Sequence, residues 1–271
     1  MSAPLPVRAE LGRQLARRRT RWSFGFLVLL PLILVGAFAL GSDGERGQAP
    51  GFVDLAQTGA ANFTVFTLFA STGFLLVVLV ALFAGDTVPS EASWSTLRYL
   101  LAAPVPRGRL LRAKLAVAAL TTLAALVVLP GWSFAVGAAF YGLEDYQGLA
   151  GDRLAPSEFA VRLAVIVGYL FVSLLFVAAV AFFAGVLTDA PLAAVGSAVL
   201  VTIVSNVLDS IPALGDLRQT LPTHEQFAWA EALQPDIVWS GMASGALWAV
   251  MYAAVLFSAS FVLFSRKDVL S

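Results

Sequence analysis

Cysteine is absent, histidine occurs once as His224, and charged side chains make up only 13% of the 271 residues. Without cysteine, neither a disulfide framework nor a thiolate metal site is available. A single imidazole excludes the zinc arrangements built on several histidines. No G-x-x-x-x-G-K-[ST] sequence occurs, so the chain has no P-loop in which to cradle ATP phosphates. Soluble domains carry roughly 25% charged residues, and this chain carries far fewer. Its charge is balanced, with 17 basic and 17 acidic residues, so its uneven distribution along the sequence carries the information.

What is present is apolar. Hydrophobic residues reach 59%, too many for a water-soluble globule. A hydrocarbon core of ~30 Å needs about 20 apolar residues in a helix, because unpaired backbone groups are intolerable there. Six segments qualify: 22–40, 62–85, 110–140, 159–187, 191–211 and 239–264. Pro130-Gly131 predicts a kink in the third, or the point where it leaves the bilayer. The sequence therefore predicts an all-α integral membrane protein, with residues 1–271 forming one transmembrane domain.

Lysine and arginine set its orientation. Arg8, Arg13, Arg17, Arg18, Arg19 and Arg21 precede the first span; Arg98, Arg107, Arg109, Arg112 and Lys114 follow the second; Arg266 and Lys267 close the chain. Only Arg46, Arg153, Arg162 and Arg218 fall on the other side. Both termini are expected in the cytoplasm, with the chain multi-pass in the cytoplasmic (inner) membrane. An apolar run ending in Ala37-Phe38-Ala39 also outlines a cleavable signal, but its long basic region and spanning length favour a retained helix.

Residues 1–21 carry Val7, Leu11 and Leu15 at helical spacing among arginines. That pattern suits an interfacial helix on anionic lipid, and equally a solvated basic tail that sets topology. Asp189, near the start of the fifth span, complements the dipole of that helix. Residues 209–238 combine Pro212, Pro222 and Pro235 with Leu214, Leu217, Leu221, Phe227, Trp229 and Leu233. The segment is too apolar for a free loop and too broken for a span, so short helices dipping into the outer leaflet are expected.

The long segment 86–109 is built to meet something in water. Thr87 can cap a short helix, Pro89 suits its first turn, and Glu91 sits where the positive dipole end favours a carboxylate. Trp94, Leu97 and Leu101 share one face, and Pro104 stops the helix. On physical grounds alone this is a handle for a partner or an amphipathic connector lying on the membrane.

The run Glu91, Ser95-Thr96-Leu97-Arg98, Leu100-Leu101, Pro104-Val105, Arg107 and Lys114 resembles the signature of type-2 ABC exporter permeases. Ser95 stands where that family has glycine. Leu221-Pro222-Thr223-His224 and 264–269 are similar to the family's closing pattern. The resemblance implies six spans, an N-terminal interfacial helix and re-entrant external helices at 209–238. It also implies a cytoplasmic coupling helix that docks on a separate ATPase through Glu91, Trp94, Leu97, Arg98, Leu101 and Arg107. The implied partners are an ABC ATPase subunit in two copies, a second permease half (identical or not) and the lipid bilayer; nucleic acid is not among them. The chain would hold no cofactor, and ATP with magnesium would bind the partner.

Spans two, three, five and six have no ionisable residue away from their ends, which disfavours an ion-coupled transporter or channel. Two weakly polar stripes remain: Thr64, Thr67 and Ser71 on the second span, and Thr202, Ser205 and Asn206 on the fifth. They suit a path for an amphipathic or lipid-like molecule, or hydroxyls that bond backbone carbonyls. Ala181 with Gly185, and Gly241 with Gly245, are spaced for close helix contact. Enzyme readings fail. Met242-Ala243-Ser244-Gly245 lacks the glycine of a serine-protease motif, and His224-Glu225 is followed by no second histidine. A membrane scaffold or sensor using the same handle is the remaining rival.

Overall fold

A computed structural model describes residues 7–41, 51–87, 89, 107–149, 151–188 and 190–266. Among these residues lie ten α-helices: α1 (Val7–Ala16), α2 (Arg18–Gly41), α3 (Phe52–Ala56), α4 (Ala60–Thr72), α5 (Leu75–Gly85), α6 (Arg107–Tyr141), α7 (Pro156–Ser173), α8 (Leu175–Thr188), α9 (Pro191–Asp209) and α10 (Ser240–Arg266). A two-stranded antiparallel hairpin, β1 (Tyr146–Gln147) with β2 (Arg153–Leu154), separates α6 from α7. Two 3₁₀ segments, Pro212–Thr220 and Ala228–Leu233, separate α9 from α10. Proline opens both α7 and α9, where its missing N–H has no intrahelical acceptor to lose.

Five helical stretches are long and apolar enough to cross a membrane, six when the bent pair α4–α5 counts as one span. Helices α7 and α8 form a single span, Pro156–Thr188, interrupted at Leu174. Helix α8 is central, packing on α5, α9 and α10, while α4 packs along α6. Leu68, Phe83, Leu126, Ile166, Leu170 and Phe182 are buried where these helices meet. By contrast, α2 buries only 11% of its most apolar window, against 44% in α6, so most of α2 faces outward.

The second span differs from its expected continuous form over 62–85. It bends by 59° between Thr72 and Leu75. The hydroxyls of Ser71 and Thr72 donate to carbonyls one turn back, at Thr67 and Leu68, and Gly73 follows. Hydroxyl back-bonding beside a glycine is a recognised source of helix bending. The opposite correction applies to the third span. Helix α6 continues through Pro130 without a break for 35 residues. At 1.5 Å per residue it is ~50 Å long, so it projects beyond a ~30 Å hydrocarbon core. It ends at Gly142, whose φ of 83° is open to glycine but strained for other residues.

Both small-residue pairs are used inside the bundle. A Cβ on Gly85 would lie 3.1 Å from Ala194 Cβ and 3.3 Å from Ala181 Cβ; one on Gly185 would lie 3.0 Å from the Gly85 carbonyl oxygen. Gly241 and Gly245 face Glu231, Glu225 and Tyr169. Gly137 of α6 meets backbone directly, with its absent Cβ only 2.9 Å from Ala60 Cα. Gly137→Ala should destabilise the bundle by about 1–3 kcal/mol through overpacking. Gly131→Ala, which meets nothing within 4 Å, should be neutral or slightly stabilising; thermal unfolding of both variants in one detergent checks the contrast.

Candidate functional site

Helix α1, the foot of α5, the start of α6 and the end of α8 gather at one end of the bundle, the basic end. The face by which α1 meets the bundle is polar: Gln14 is buried, and Glu10 and Arg17 are half-buried. Val7 and Leu15, from its apolar stripe, stay exposed. Glu10 reaches across to Lys114 of α6, with Oε1 3.1 Å from Nζ, and the Lys114 side chain is only 2% exposed. Asp86, at the C-cap of α5, takes Arg17 on one carboxylate oxygen at 3.0 Å and Arg19 on the other at 2.9 Å. Arg17 also donates to the Asp86 carbonyl at 3.3 Å.

Of the segment expected to form the coupling helix, the described residues are those at its two ends. Thr87 is buried and donates its hydroxyl to the Ala84 carbonyl at 2.7 Å, serving the end of α5. Pro89 lies against Gly185. Arg107 opens α6. Glu91, Trp94, Leu97, Arg98 and Leu101 lie outside the described residues, as does Asp189. Glu10 and Asp86 were not singled out in the sequence. The signal of Glu10 is an acid in a stretch otherwise rich in arginine, and that of Asp86 is an acid directly after an apolar span.

At the opposite end, residues 209–238 are fastened from several sides. Arg162 of α7 is buried, and it donates to the carbonyls of Ala232 (3.0 Å), Gln234 (3.1 Å) and Pro235 (2.9 Å), and to Glu158 (2.7 Å). Tyr169 donates to the Glu225 carbonyl, and His224 pairs with Asp209. Trp229 is fully buried, its ring 4.4 Å from that of Phe69 on α4. The β hairpin is pinned to α4 by Asn62, whose amide exchanges two hydrogen bonds with the Gln147 backbone. Burial, and then the Asp152 carboxylate, push the hairpin's Tyr146 phenol above its ordinary range.

The two polar stripes lie largely inside the bundle. Thr64, Thr67 and Ser71 are buried, each donating to a carbonyl one turn back, at Ala60, Phe63 and Thr67. Thr202 does the same to Ala198. Ser205 pairs instead with Thr223 of the external segment at 2.7 Å, and Asn206 is half-buried. Thr202 lines a cavity of about 20 Å³, where it meets Thr72 at the α4–α5 bend, Ser173 and Leu174 at the α7–α8 interruption, and Thr223. A larger cavity of about 130 Å³ lies between α5, α6, α8 and α10, walled by Val80, Ala84, Ala118, Leu174 and Phe257; no stripe residue lines it. Among the described residues no three acidic or imidazole groups converge as metal ligands.

Residues 14–205 match the model of a family described as ABC-2 family transporter protein. The chain belongs to the ABC-2 transporter family. It is a multi-pass membrane permease of the ABC type, and the expected family resemblance is thereby shown. The match takes in α2 to α8, most of α9 and the whole segment between α5 and α6, and it ends before residues 209–238 and α10. No curated protein matches the chain.

In this ABC-2 permease, Arg162→Gln should loosen the external segment by orphaning the buried Ala232 carbonyl, about 1–3 kcal/mol. Limited proteolysis should then cut within 212–235 faster than in the unaltered chain. Arg162→Lys, a point donor in place of a fork, should fall between the two.

Proposed function

We propose that the chain is the membrane-spanning subunit of an ATP-driven exporter of the cytoplasmic membrane, with both termini cytoplasmic. A separate ATPase, in two copies, supplies the energy and holds the ATP and magnesium. A second permease half, identical or related, completes the translocation unit. Residues 86–109 are the coupling segment that the ATPase grips, and 209–238 are re-entrant helices closing the outer end of a single domain. The observation that carries the reading is the family match through residues 14–205.

Further support comes from where charge sits. Asp86, Lys114 and Arg162 are buried charged groups, and each lies near an end of the bundle with a partner of opposite sign. An ion-coupled carrier ordinarily places such groups at membrane depth along its path. In this reading Thr64, Thr67, Ser71, Thr202, Ser205 and Asn206 become the wall of a route for an amphipathic or lipid-like substrate once the external segment separates from α9. The Ser205–Thr223 hydrogen bond would break in that step.

Affinity purification of the chain from its own membranes should bring down an ATPase subunit and ATP hydrolysis. Glu91→Ala or Arg98→Ala should weaken that association about tenfold, or ~1.4 kcal/mol. Unchanged association and unchanged hydrolysis in both variants would remove the coupling role from residues 86–109. Purification without any ATPase would remove the exporter reading itself.

A further inference from the structure

The ion pairs of the basic end join three chain segments that are distant in sequence. Glu10 lies in α1, Arg17 and Arg19 at the joint of α1 with α2, Asp86 at the foot of α5, and Lys114 two turns into α6. Residues 88–106 connect Asp86 and Thr87 to α6. Both feet of that connection are thus held by one N-terminal element.

Two features show that these pairs are placed for position. A carboxylate at a helix C-terminus opposes the helix dipole, yet Asp86 caps the C-terminus of α5, where its side chain is 8% exposed. The two guanidinium groups offset that unfavourable placement. Lys114 is a cation almost wholly removed from water, and a buried charge needs its partner in register. Buried pairs contribute little net stability compared with apolar packing, whereas removing one partner leaves an uncompensated buried charge.

The helix they grip is built to move as a unit. Helix α5 is separated from α4 by the 59° bend at Gly73 and Phe74, where the backbone ladder is interrupted. Its foot touches α8 and α9 through Gly85, where backbone and methyl groups are in close contact without long side chains between them. A displacement of that foot is therefore passed on to the centre of the bundle.

We infer that Glu10, Arg17 and Arg19 are positioning residues that bind the feet of α5 and α6 into one lever, hinged at Gly73-Phe74. The inference rests on the permease reading above. It adds that a push on residues 88–106 moves both helices together only while the corner between α1 and α2 holds them. Rigid-body motion of packed helices about such a hinge is an established mode of switching. Coupling needs an element with two arrangements that both sites bias, and α5 is that element.

The absence of cysteine gives a clean background for the test. Leu149→Cys and Leu217→Cys, on surfaces 74% and 66% exposed at the outer end, carry spin labels in the complex purified with its ATPase. Their separation is measured without nucleotide and after trapping with ATP and vanadate. The nucleotide-driven change should be present in the labelled parent. In Glu10→Gln and Asp86→Asn the shifted population should fall by roughly 2- to 30-fold, with ATP hydrolysis retained. Exchanging the pair, Glu10→Lys with Lys114→Glu, should restore the response.

A clamp that served stability alone would lower the melting temperature and leave the nucleotide response intact, and that result overturns the inference. Where a single variant fails to assemble, the exchanged pair decides. Assembly with a normal response supports the lever, and assembly without one overturns it. Loss of the ATPase from the parent complex is a separate result, visible before any variant is made, and it strikes the permease reading instead.

Discussion

Hydrocarbon offers no hydrogen-bond partner, and the polar side chains of the described spans are disposed accordingly. Hydroxyls within the spans donate to carbonyls of their own helix, as Thr64, Thr67, Thr121, Ser133 and Ser260 do. Charges stay at the two ends. There, guanidinium and ammonium groups do structural work that apolar packing cannot do, because they tie together segments far apart in sequence. The basic end is joined by Arg17, Arg19 and Lys114, and the opposite end by Arg162.

The same rule explains why the interruptions fall where they do. A broken helix at membrane depth is tolerated only when other protein surrounds it. The bend at Gly73 and the interruption at Leu174 border one small cavity, covered by Thr202 of α9 and by Pro222 and Thr223 of the external segment. Phe69, one turn before the bend, stacks on Phe227 and lies tilted against Trp229 of that segment. The external segment is thus part of what makes the bend tenable, and α9 is joined to it through Ser205. Packing of residues 209–238 and the bend in the second span are one structural problem.

Much of this was legible in the chain. Spans were readable because twenty apolar residues have few other uses, and their approximate limits agree with α2, α6, α7–α8, α9 and α10. The irregular character of 209–238 was readable from its prolines among apolar residues, and 3₁₀ segments stand there. Bend positions were not. Pro130 looked like the stronger breaker, yet α6 continues through it, while Ser71-Thr72-Gly73 ended α4. The bend goes with hydroxyl back-bonding by Ser71 and Thr72 beside Gly73, and Gln226 and Phe227, distant in sequence, lie next to that glycine. Residues of the signature itself, from Glu91 to Leu101, lie outside the described part of the molecule, so their arrangement adds nothing to this comparison.

By itself the sequence determined the class of molecule, the number of apolar segments and the distribution of charge along the chain. These follow from composition and from a period repeated over twenty residues, and no distant contact can alter them. Only the tertiary structure decided which acid meets which base. Glu10 and Lys114 are 104 positions apart, and Asp86 and Arg17 are 69 apart. Side-chain chemistry states that each requires a partner, but the placement of α1 against α6, and of the α1–α2 corner against the foot of α5, selects it.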